Sequence, residues 1–220
     1  MIETLILIPS DLERAHLLPD PKSVRSHAGM DLYESDGAVW AVCGIGPSAA
    51  AMTATHLTAS LEPSCLILLG VAGAFRGSGL RLGELVQARS EHFADLGYWA
   101  GTTFQDLDRM GLPMLTVPER KLGCAYPLAP WIADMPSHDF LTVSTITNSV
   151  ERAELLRHGY GAGVENMEGA AVAMVCAFYR IPFFEIRAVS NWVGPRDPKS
   201  WTVAEPLGRL RDRVLAQLSA

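Results

Sequence analysis

The chain has 220 residues, of which 49 % are hydrophobic, and a formal net charge of −6 at pH 7. This length is ordinary for one domain with a sizeable core, and we expect a single domain over residues 1–220. An acidic balance without a Lys/Arg cluster argues against a nucleic acid polymer as partner, because such polymers are bound through basic surfaces. A nucleoside-sized ligand is compatible with this charge.

Cysteine usage and the first residues of the chain indicate a cytoplasmic protein. The four cysteines form no Cys-x-x-Cys pair, and three lie inside apolar runs, where cysteine usually behaves as a small buried side chain. The opening segment, MIETLILIPSD, has an acid at Glu3 and an apolar run too short for a signal peptide or a membrane span. We therefore expect a reducing compartment and no association with a membrane.

Motifs for metals and organic cofactors are missing from the sequence. No spacing of His, Cys and Asp resembles a set of metal ligands, so we expect neither a metal nor another cofactor. His92 is better explained as a surface or hydrogen-bonded structural histidine than as a site residue. No internal repeat or low-complexity segment is present.

Alternating strand and helix patterns indicate an α/β protein. Residues 4–8 are a compact apolar run that predicts the first, central strand. Ser10 or Asp11 is suited to cap a following helix that contains Glu13. On these residues alone, Glu13 is best explained as a solvated first-turn acid, which the helix dipole favours. The other predicted elements are strands at 31–34, 38–43, 65–69 and 140–145 and helices at 49–61, 151–158 and about 202–218.

Two glycine-containing segments follow predicted strands. Residues 44–46 (GIG) lead into a helix, and such a turn lets the backbone approach an anion, although it is neither a Walker motif nor a dinucleotide fingerprint. Residues 70–73 (GVAG) follow the strand at 65–69, and small residues there indicate the close approach of a ligand or another backbone. Residues 101–137 contain five prolines, which predict loops with one or two short elements.

The stretch 164–197 is the most informative part of the chain. It predicts a helix at 166–179 that is nearly all small and apolar, hence buried, and a strand at 182–189. Glu168 lies in the predicted first helical turn, where it is either a capping carboxylate or a buried acid that needs the hydroxyl donors of a ligand. Asn191 follows the strand, either as a turn residue or in the crevice where ligands gather beyond strand ends.

Two motifs of this stretch resemble a known superfamily. Met167 and Glu168 ahead of an Ala-rich helix, with the run 187–190 (RAVS), resemble the purine nucleoside phosphorylases and nucleosidases. The longer runs 165–171 (ENMEGAA) and 190–197 (SNWVGPRD) are similar to the futalosine hydrolases, nucleosidases of the futalosine route to menaquinone. The resemblance implies a three-layer α/β/α nucleoside phosphorylase-like domain around a central mixed sheet. It also implies a homo-oligomer, a dimer or larger, that splits futalosine into hypoxanthine and dehypoxanthine futalosine.

The resemblance implies catalytic roles for three residues. Glu13 matches, by its distance from the first strand, the Glu that activates the attacking water, with Asp11 as the alternative match. Glu168 matches the acid that binds the 2′- and 3′-hydroxyls of the ribose. Asn191 stands where methylthioadenosine nucleosidases carry an Asp that protonates adenine N7. Asn is no acid but donates and accepts hydrogen bonds, which suits a 6-oxopurine such as hypoxanthine.

Further substrate-binding residues follow from the same resemblance. Met167 belongs to the ribose-binding motif, and Val71 lies where the related nucleosidases have G-S-A-G-G, with an apolar group in place of a hydroxyl. Ile146 is the candidate for packing on the base. Arg187, inside a buried strand, must be paired, and we expect it to orient Asn191 or a nearby loop.

Three residues are candidates for binding the 5′ end of the substrate. The benzoate carboxylate of futalosine suits an arginine, and Arg196 is the candidate, with Trp192 and Trp201 beside it. The alternative is a surface arginine and two packing tryptophans.

The sequence favours hydrolysis over phosphorolysis. Phosphorylases of the superfamily place phosphate-binding Arg and Ser groups around the first and third strand-end loops. Here Val71 fills one loop, and Arg14 and Arg76 have no assigned place. The alternatives are a methylthioadenosine/S-adenosylhomocysteine nucleosidase, which Asn191 disfavours, a 6-oxopurine nucleoside phosphorylase, and a nucleoside-binding protein without catalysis.

Overall fold

The computed structural model describes residues 2–101, 103–195, 197 and 201–219, so the prediction for Arg196 lies outside the described residues. The strands are β1 (Thr4–Ile8), β2 (Ser23–His27), β3 (Met30–Ser35), β4 (Ala38–Val42), β5 (Cys65–Ala74), β6 (Leu85–Phe93), β7 (Gly97–Ala100), β8 (Thr103–Asp106), β9 (Leu115–Val117), β10 (Arg120–Leu122), β11 (Ala125–Pro127), β12 (Ser137–Thr142), β13 (Val164–Asn166) and β14 (Phe183–Trp192). The helices are α1 (Asp11–Leu17), α2 (Pro47–Leu61), α3 (Val150–Tyr160), α4 (Gly169–Tyr179) and α5 (Ala204–Leu218).

The central sheet is mixed and partly closed. β1 lies between β4 and β5 and is parallel to both, as its central position in the prediction requires. Beyond β4, the sheet continues through the antiparallel strands β3 and β2. On the other side, β5 pairs with β14, β14 with β6, β6 with β12, β12 with β13, and β13 with β5 again. These five strands therefore form a closed ring.

Helices cover both faces of the sheet. Because side chains alternate along a strand, Leu5 and Leu7 of β1 pack on the side of α2 and α4, whereas Ile6 and Ile8 pack on the side of α1 and α5. The α/β/α layering around a mixed sheet confirms the predicted fold class. Within the described residues, no helix is long and apolar enough to cross a membrane.

Two strands run further than predicted. β5 continues to Ala74, so the small residues 70–73 belong to the strand and not to a loop after it. β14 continues to Trp192 and includes Asn191, because the pairing with β5 resumes after a β-bulge between Val189 and Asn191. Asn191 is therefore a strand residue and not a turn residue.

The start of α4 differs from the prediction. The helix begins at Gly169 and not at Asn166, because residues 164–166 form β13, which pairs with β12 and β5. The Asn166 side chain instead caps the helix: its Oδ1 accepts hydrogen bonds from the backbone N–H groups of Glu168 and Gly169. The predicted burial of this helix is confirmed, with most of its residues inaccessible to solvent.

Residues 101–137 contain more strands than predicted. β8 pairs with β7, β9 pairs with β10, and β11 joins the edge of the main sheet against β6. Elements of three or four residues are too short to show a hydrophobic period. β2 has an exposed or half-exposed pattern throughout, which is why no apolar alternation marked it.

Candidate active site

A cavity of about 310 Å³ lies at the carboxyl ends of the parallel strands β1, β5 and β14. Its volume is that of a small-molecule site. Ligands of open α/β sheets bind at this end of the strands. The cavity brings together the predicted residues Glu13, Val71, Ile146, Met167, Glu168, Arg187 and Asn191.

Glu13 is buried and points into the protein. The Ser10 side chain caps α1 by accepting from Glu13 N, and the Ser10 hydroxyl donates to Glu13 Oε2 at 2.5 Å. Val71 N–H donates to Glu13 Oε1 at 2.9 Å. With 6 % exposure, Glu13 is not the solvated acid of the alternative interpretation, and burial raises its pKa, although these two hydrogen bonds oppose the shift. Asp11, by contrast, is exposed and pairs with Arg14 on the surface.

Glu168 is also buried, with 4 % exposure. It occupies the N-cap position of α4, but its side chain makes no capping hydrogen bond. Its Oε1 accepts from Gly46 N–H at 3.0 Å and its Oε2 from Arg187 Nη2 at 3.2 Å. The glycine turn at 44–46 thus binds a carboxylate of the protein itself.

Arg187 forms ion pairs with two buried acids, Glu168 and Glu185. Its guanidinium is fully buried and donates to Glu168, to Glu185 Oε1 at 2.8 Å, and to Val71 O at 3.3 Å. Arg187 is paired, as expected, but of the two expected targets, Asn191 and a nearby loop, its hydrogen bonds within the described part of the chain reach only the 70–73 segment, at Val71 O, together with Glu168 and Glu185. Gly70 is required between these groups, because a Cβ there would lie 2.7 Å from both Arg187 Nη1 and Glu13 Oε1.

Asn191 is positioned by its own strand. Its Oδ1 lies 2.8 Å from the Ser190 hydroxyl, and its Nδ2 donates to Trp192 O at 3.1 Å. A Cβ on Gly73 would lie 3.2 Å from Asn191 Nδ2, so the glycine leaves room for the amide above the neighbouring strand. The β-bulge before Asn191 directs this side chain.

The remaining predicted residues differ in their surroundings. Val71, Met167 and Ile146 line the cavity, and Ile146 is 38 % exposed there. Trp192 does not line it and lies under Arg76, whose guanidinium is 5.2 Å from the ring centre. The cavity also contains Leu12 and Val203, which the sequence did not indicate. Ile45 and Gly73 belong to the two glycine-containing segments, and Glu165 and Asn166 belong to the motif at 165–171, but none of these four was assigned a role. Trp201 also lines the cavity, as proposed for one end of the ligand.

A second pair of buried acids, Glu91 and Glu185, is connected to the site through the ion pair between Glu185 and Arg187. Glu91 and Glu185 are 0 % and 1 % exposed, and both carboxyls border the Cα of Gly169. Burial, followed by the charge of Glu185, raises the pKa of Glu91 well above its usual range. We assign one proton to this pair of carboxyls and place it on Glu91, because Glu185 already has the Arg187 guanidinium as its partner. An O–H group on Glu91 would also donate to Glu185 Oε2, which has no other partner among the described residues.

Gly169→Ala should therefore destabilise the protein. The new Cβ would overlap Glu91 Oε1 and Glu185 Oε2, and we expect the free energy of unfolding to fall by about 1 to 3 kcal/mol, as in overpacked cores. The matched control is Gly159→Ala in α3, where nothing lies within 4 Å of the new Cβ. That change should raise stability by about 0.5 to 1 kcal/mol, because alanine favours helix. Urea unfolding compares them, and an equal response would contradict the packing described.

Other features of the described residues do not compete with this site. A hollow of about 620 Å³ between the β7–β8 hairpin and α3 is larger, but its acids, Glu151 and Glu154, are exposed. Among the residues placed by the structure, no three His, Cys, Asp or Glu side chains are arranged to hold a metal ion. The buried acids at the strand ends remain the chemically distinctive group.

Comparisons with known proteins identify the family of the chain. The model of the phosphorylase superfamily matches residues 5–123 and 132–216. Futalosine hydrolase from Thermus thermophilus is 33 % identical over 217 residues, which cover 96 % of this chain and 92 % of that protein. Futalosine hydrolase from Streptomyces coelicolor is 35 % identical over 222 residues, covering 97 % and 92 %.

The fold also matches that of solved structures. The 5′-methylthioadenosine/S-adenosylhomocysteine nucleosidase from Helicobacter pylori, solved with butyl-thio-DADMe-Immucillin-A, gives a TM-score of 0.81 at 19 % identity over 100 % of this chain and 98 % of that one. At this identity the likeness supports the fold alone. The family model and the two sequence relatives go further: the chain belongs to the phosphorylase superfamily and, within it, to the family of the futalosine hydrolases.

Proposed function

We propose that the protein hydrolyses the N-glycosidic bond of futalosine, releasing hypoxanthine and dehypoxanthine futalosine, as a step of menaquinone biosynthesis. The observation that carries the proposal is one cavity whose lining includes the buried carboxylates of Glu13 and Glu168 and the amide of Asn191. These are the groups that an attacking water, a ribose and a departing 6-oxopurine require. The relatives named futalosine hydrolase support the choice of substrate.

Glu13 is proposed as the base that activates water. Cleavage of an N-glycosidic bond passes through a sugar with oxocarbenium character, and the water that attacks C1′ must lose a proton. A base needs a pKa nearer to the working pH than that of a solvated carboxyl, and burial shifts Glu13 in this direction. The donors Ser10 and Val71 hold the carboxylate in one orientation.

Glu168 is proposed to bind the ribose hydroxyls. Each of its oxygens has one protein donor, from Gly46 and Arg187, and a carboxylate oxygen accepts two hydrogen bonds. One acceptor position on each oxygen therefore remains for the 2′- and 3′-hydroxyls. A negative group below the sugar also stabilises the positive charge that develops on it.

Asn191 is proposed to stabilise the leaving hypoxanthine. Its amide nitrogen has two N–H groups, of which one is directed to Trp192 O, so the other remains to donate to the purine. The negative charge of the departing hypoxanthine spreads over O6 and N7, both of which accept hydrogen bonds. An adenine lacks O6 and depends on protonation, which an amide does not provide.

The apolar lining supports the rest of the substrate. Ile146 and Met167 are proposed to pack on the base and sugar, and Val71 offers no hydroxyl to a phosphate ion, which favours water as the nucleophile. Trp201 and Leu12 at the cavity are proposed to contact the aromatic 5′ end. Arg196 remains a prediction for the benzoate group, whereas Trp192, which lies outside the cavity lining, is not proposed for it.

We also propose a cytoplasmic homo-oligomer. The described cysteines are unpaired, and three of them are buried, which fits a reducing compartment. Tyr98 and Trp99 are 54 % and 42 % exposed on the β7–β8 hairpin, and large exposed aromatic groups are typical of surfaces that bind another protein.

A substrate panel tests the proposed function. Futalosine, inosine and methylthioadenosine are incubated with the protein in phosphate-free buffer, and the released bases are separated and measured. We expect hypoxanthine from futalosine at the highest rate. Adenine release from methylthioadenosine with futalosine untouched would contradict the proposal and the role of Asn191. Binding of futalosine without turnover would identify a nucleoside-binding protein instead.

A further inference from the structure

Glu165 is a further buried acid of the cavity, and the mechanism above does not use it. It lies on β13, is 7 % exposed, and lines the cavity next to the catalytic groups. Thr147 binds both of its oxygens: the backbone N–H donates to Oε1 at 3.1 Å and the hydroxyl to Oε2 at 2.5 Å. Glu165 therefore anchors the segment that contains Ile146, the residue proposed to pack on the base.

The Glu165 carboxylate has acceptor capacity left over. Two carboxylate oxygens accept about four hydrogen bonds, and Thr147 supplies two. Among the described residues, Glu165 forms no ion pair within 4.0 Å. Burial raises its pKa, and the two Thr147 donors oppose that shift. Because Thr147 donates to both oxygens, both act as acceptors in the structure. A ligand that donates from an N–H group would satisfy it.

Sheet register places Glu165 opposite Asn191. On one side of β5, Glu165 is the register partner of Gly73, and on the other side Asn191 is the partner of the same glycine. Register partners project their side chains from one face of a sheet, and neighbouring strands are about 4.8 Å apart. Glu165 and Asn191 therefore flank Gly73, and both side chains line the same cavity.

We propose that Glu165 is a specificity-determining residue that accepts a hydrogen bond from N1–H of a 6-oxopurine base. This inference rests on the proposed function and deepens it. Hypoxanthine presents an N1–H donor next to the O6 acceptor, so an acceptor at Glu165 and a donor at Asn191 match adjacent parts of its edge. Adenine has an unprotonated N1, whose lone pair faces the carboxylate. A buried hydrogen-bonding site left unmatched discriminates by several orders of magnitude.

The test measures binding of free bases and release of bases from nucleosides. Wild type, Glu165→Gln and the control Glu151→Gln are titrated calorimetrically with hypoxanthine, 1-methylhypoxanthine and adenine. Base release is followed from futalosine and from its counterpart with adenine as the base. Glu151 is exposed on α3, so its replacement controls for the loss of one negative charge.

We expect wild type and Glu151→Gln to bind hypoxanthine at least about 10²-fold more tightly than 1-methylhypoxanthine or adenine. Glu165→Gln should reduce the preference for hypoxanthine over adenine by about tenfold or more, because Gln accepts from N1–H but also donates to adenine N1. Base release should show the same relaxed ratio.

Two results would overturn the inference. One is equal binding of hypoxanthine and 1-methylhypoxanthine by wild type, a comparison that does not depend on any variant folding. The other is an unchanged hypoxanthine-to-adenine ratio in Glu165→Gln. Failure of the proposed function is distinguishable from failure of this inference. If the proposed function is wrong, wild type releases no hypoxanthine from futalosine, and the binding of free bases still decides the role of Glu165.

Discussion

Replacing Glu13 with Gln should lower kcat for hypoxanthine release by about 10²- to 10⁴-fold, the usual contribution of a general base. Gln keeps the size of the side chain and an oxygen that accepts from Val71 N–H, but it takes no proton from water. Substrate binding should change much less, because Glu13 acts on the water. The measurement is kcat and KM for futalosine, with thermal unfolding to confirm that the variant is folded.

The same group sets the acid limb of the pH profile. Glu13 acts as a base only when ionised, so kcat/KM should fall as the pH drops through its pKa. Burial raises that pKa above the value of 4.5 for a solvated Glu, and the fall should begin at a correspondingly higher pH. In Glu13→Gln this limb should disappear from the residual activity.

Asp11→Asn is the control for Glu13→Gln. Asp11 is the alternative match for the base, two residues away, and it is exposed and pairs with Arg14. Full activity in Asp11→Asn together with the loss in Glu13→Gln would support the assignment. Loss in Asp11→Asn with an active Glu13→Gln would transfer the role to Asp11.

Glu168→Gln should lower kcat/KM for futalosine by about 10²- to 10³-fold, the range for one group that stabilises transition-state charge. The change removes the negative charge near the developing sugar cation and substitutes an N–H donor for one acceptor. It also leaves Arg187 with Glu185 as its remaining ion partner within 4.0 Å among the described residues. Stability should therefore fall too, and activity is compared at a temperature where the variant stays folded.

Two comparisons separate the catalytic effect of Glu168 from a structural one. Glu151→Gln, an exposed acid in the first turn of α3, should keep full activity and stability. A substrate without the ribose 2′-hydroxyl should react slowly with wild type and lose less with Glu168→Gln than futalosine does, because one of the contacts of Glu168 is already absent. An equal further loss on this substrate would contradict a contact between Glu168 and the 2′-hydroxyl.

The α/β class and the candidates Glu168 and Asn191 could be predicted from local sequence, whereas the three-layer fold and the role of Glu13 followed from the family resemblance. β1 has the predicted bounds, and Glu13 lies in α1, the helix that follows the end of this strand. Glu168 stands out because it is charged at the start of an apolar helix, and Asn191 because it follows an apolar strand. The carboxyl ends of parallel strands meet at one edge, so these residues converge.

What the sequence missed depends on long-range pairing. The ring closes because β13 pairs with β5 while β14 pairs with β6, and no local period encodes such partners. For the same reason, the contact of Glu91 with Glu185 is visible only in the folded sheet. The predicted start of α4 at Asn166 is too early, because Asn166 belongs to β13 and its side chain accepts from the N–H groups of Glu168, the N-cap residue, and Gly169.

The most direct test of the account is the initial rate of hypoxanthine release from futalosine by the wild-type protein, with and without phosphate. We expect rapid release without phosphate and no increase when phosphate is added, because water activated by Glu13 is the proposed nucleophile. Release that requires phosphate would contradict hydrolysis and indicate a phosphorylase.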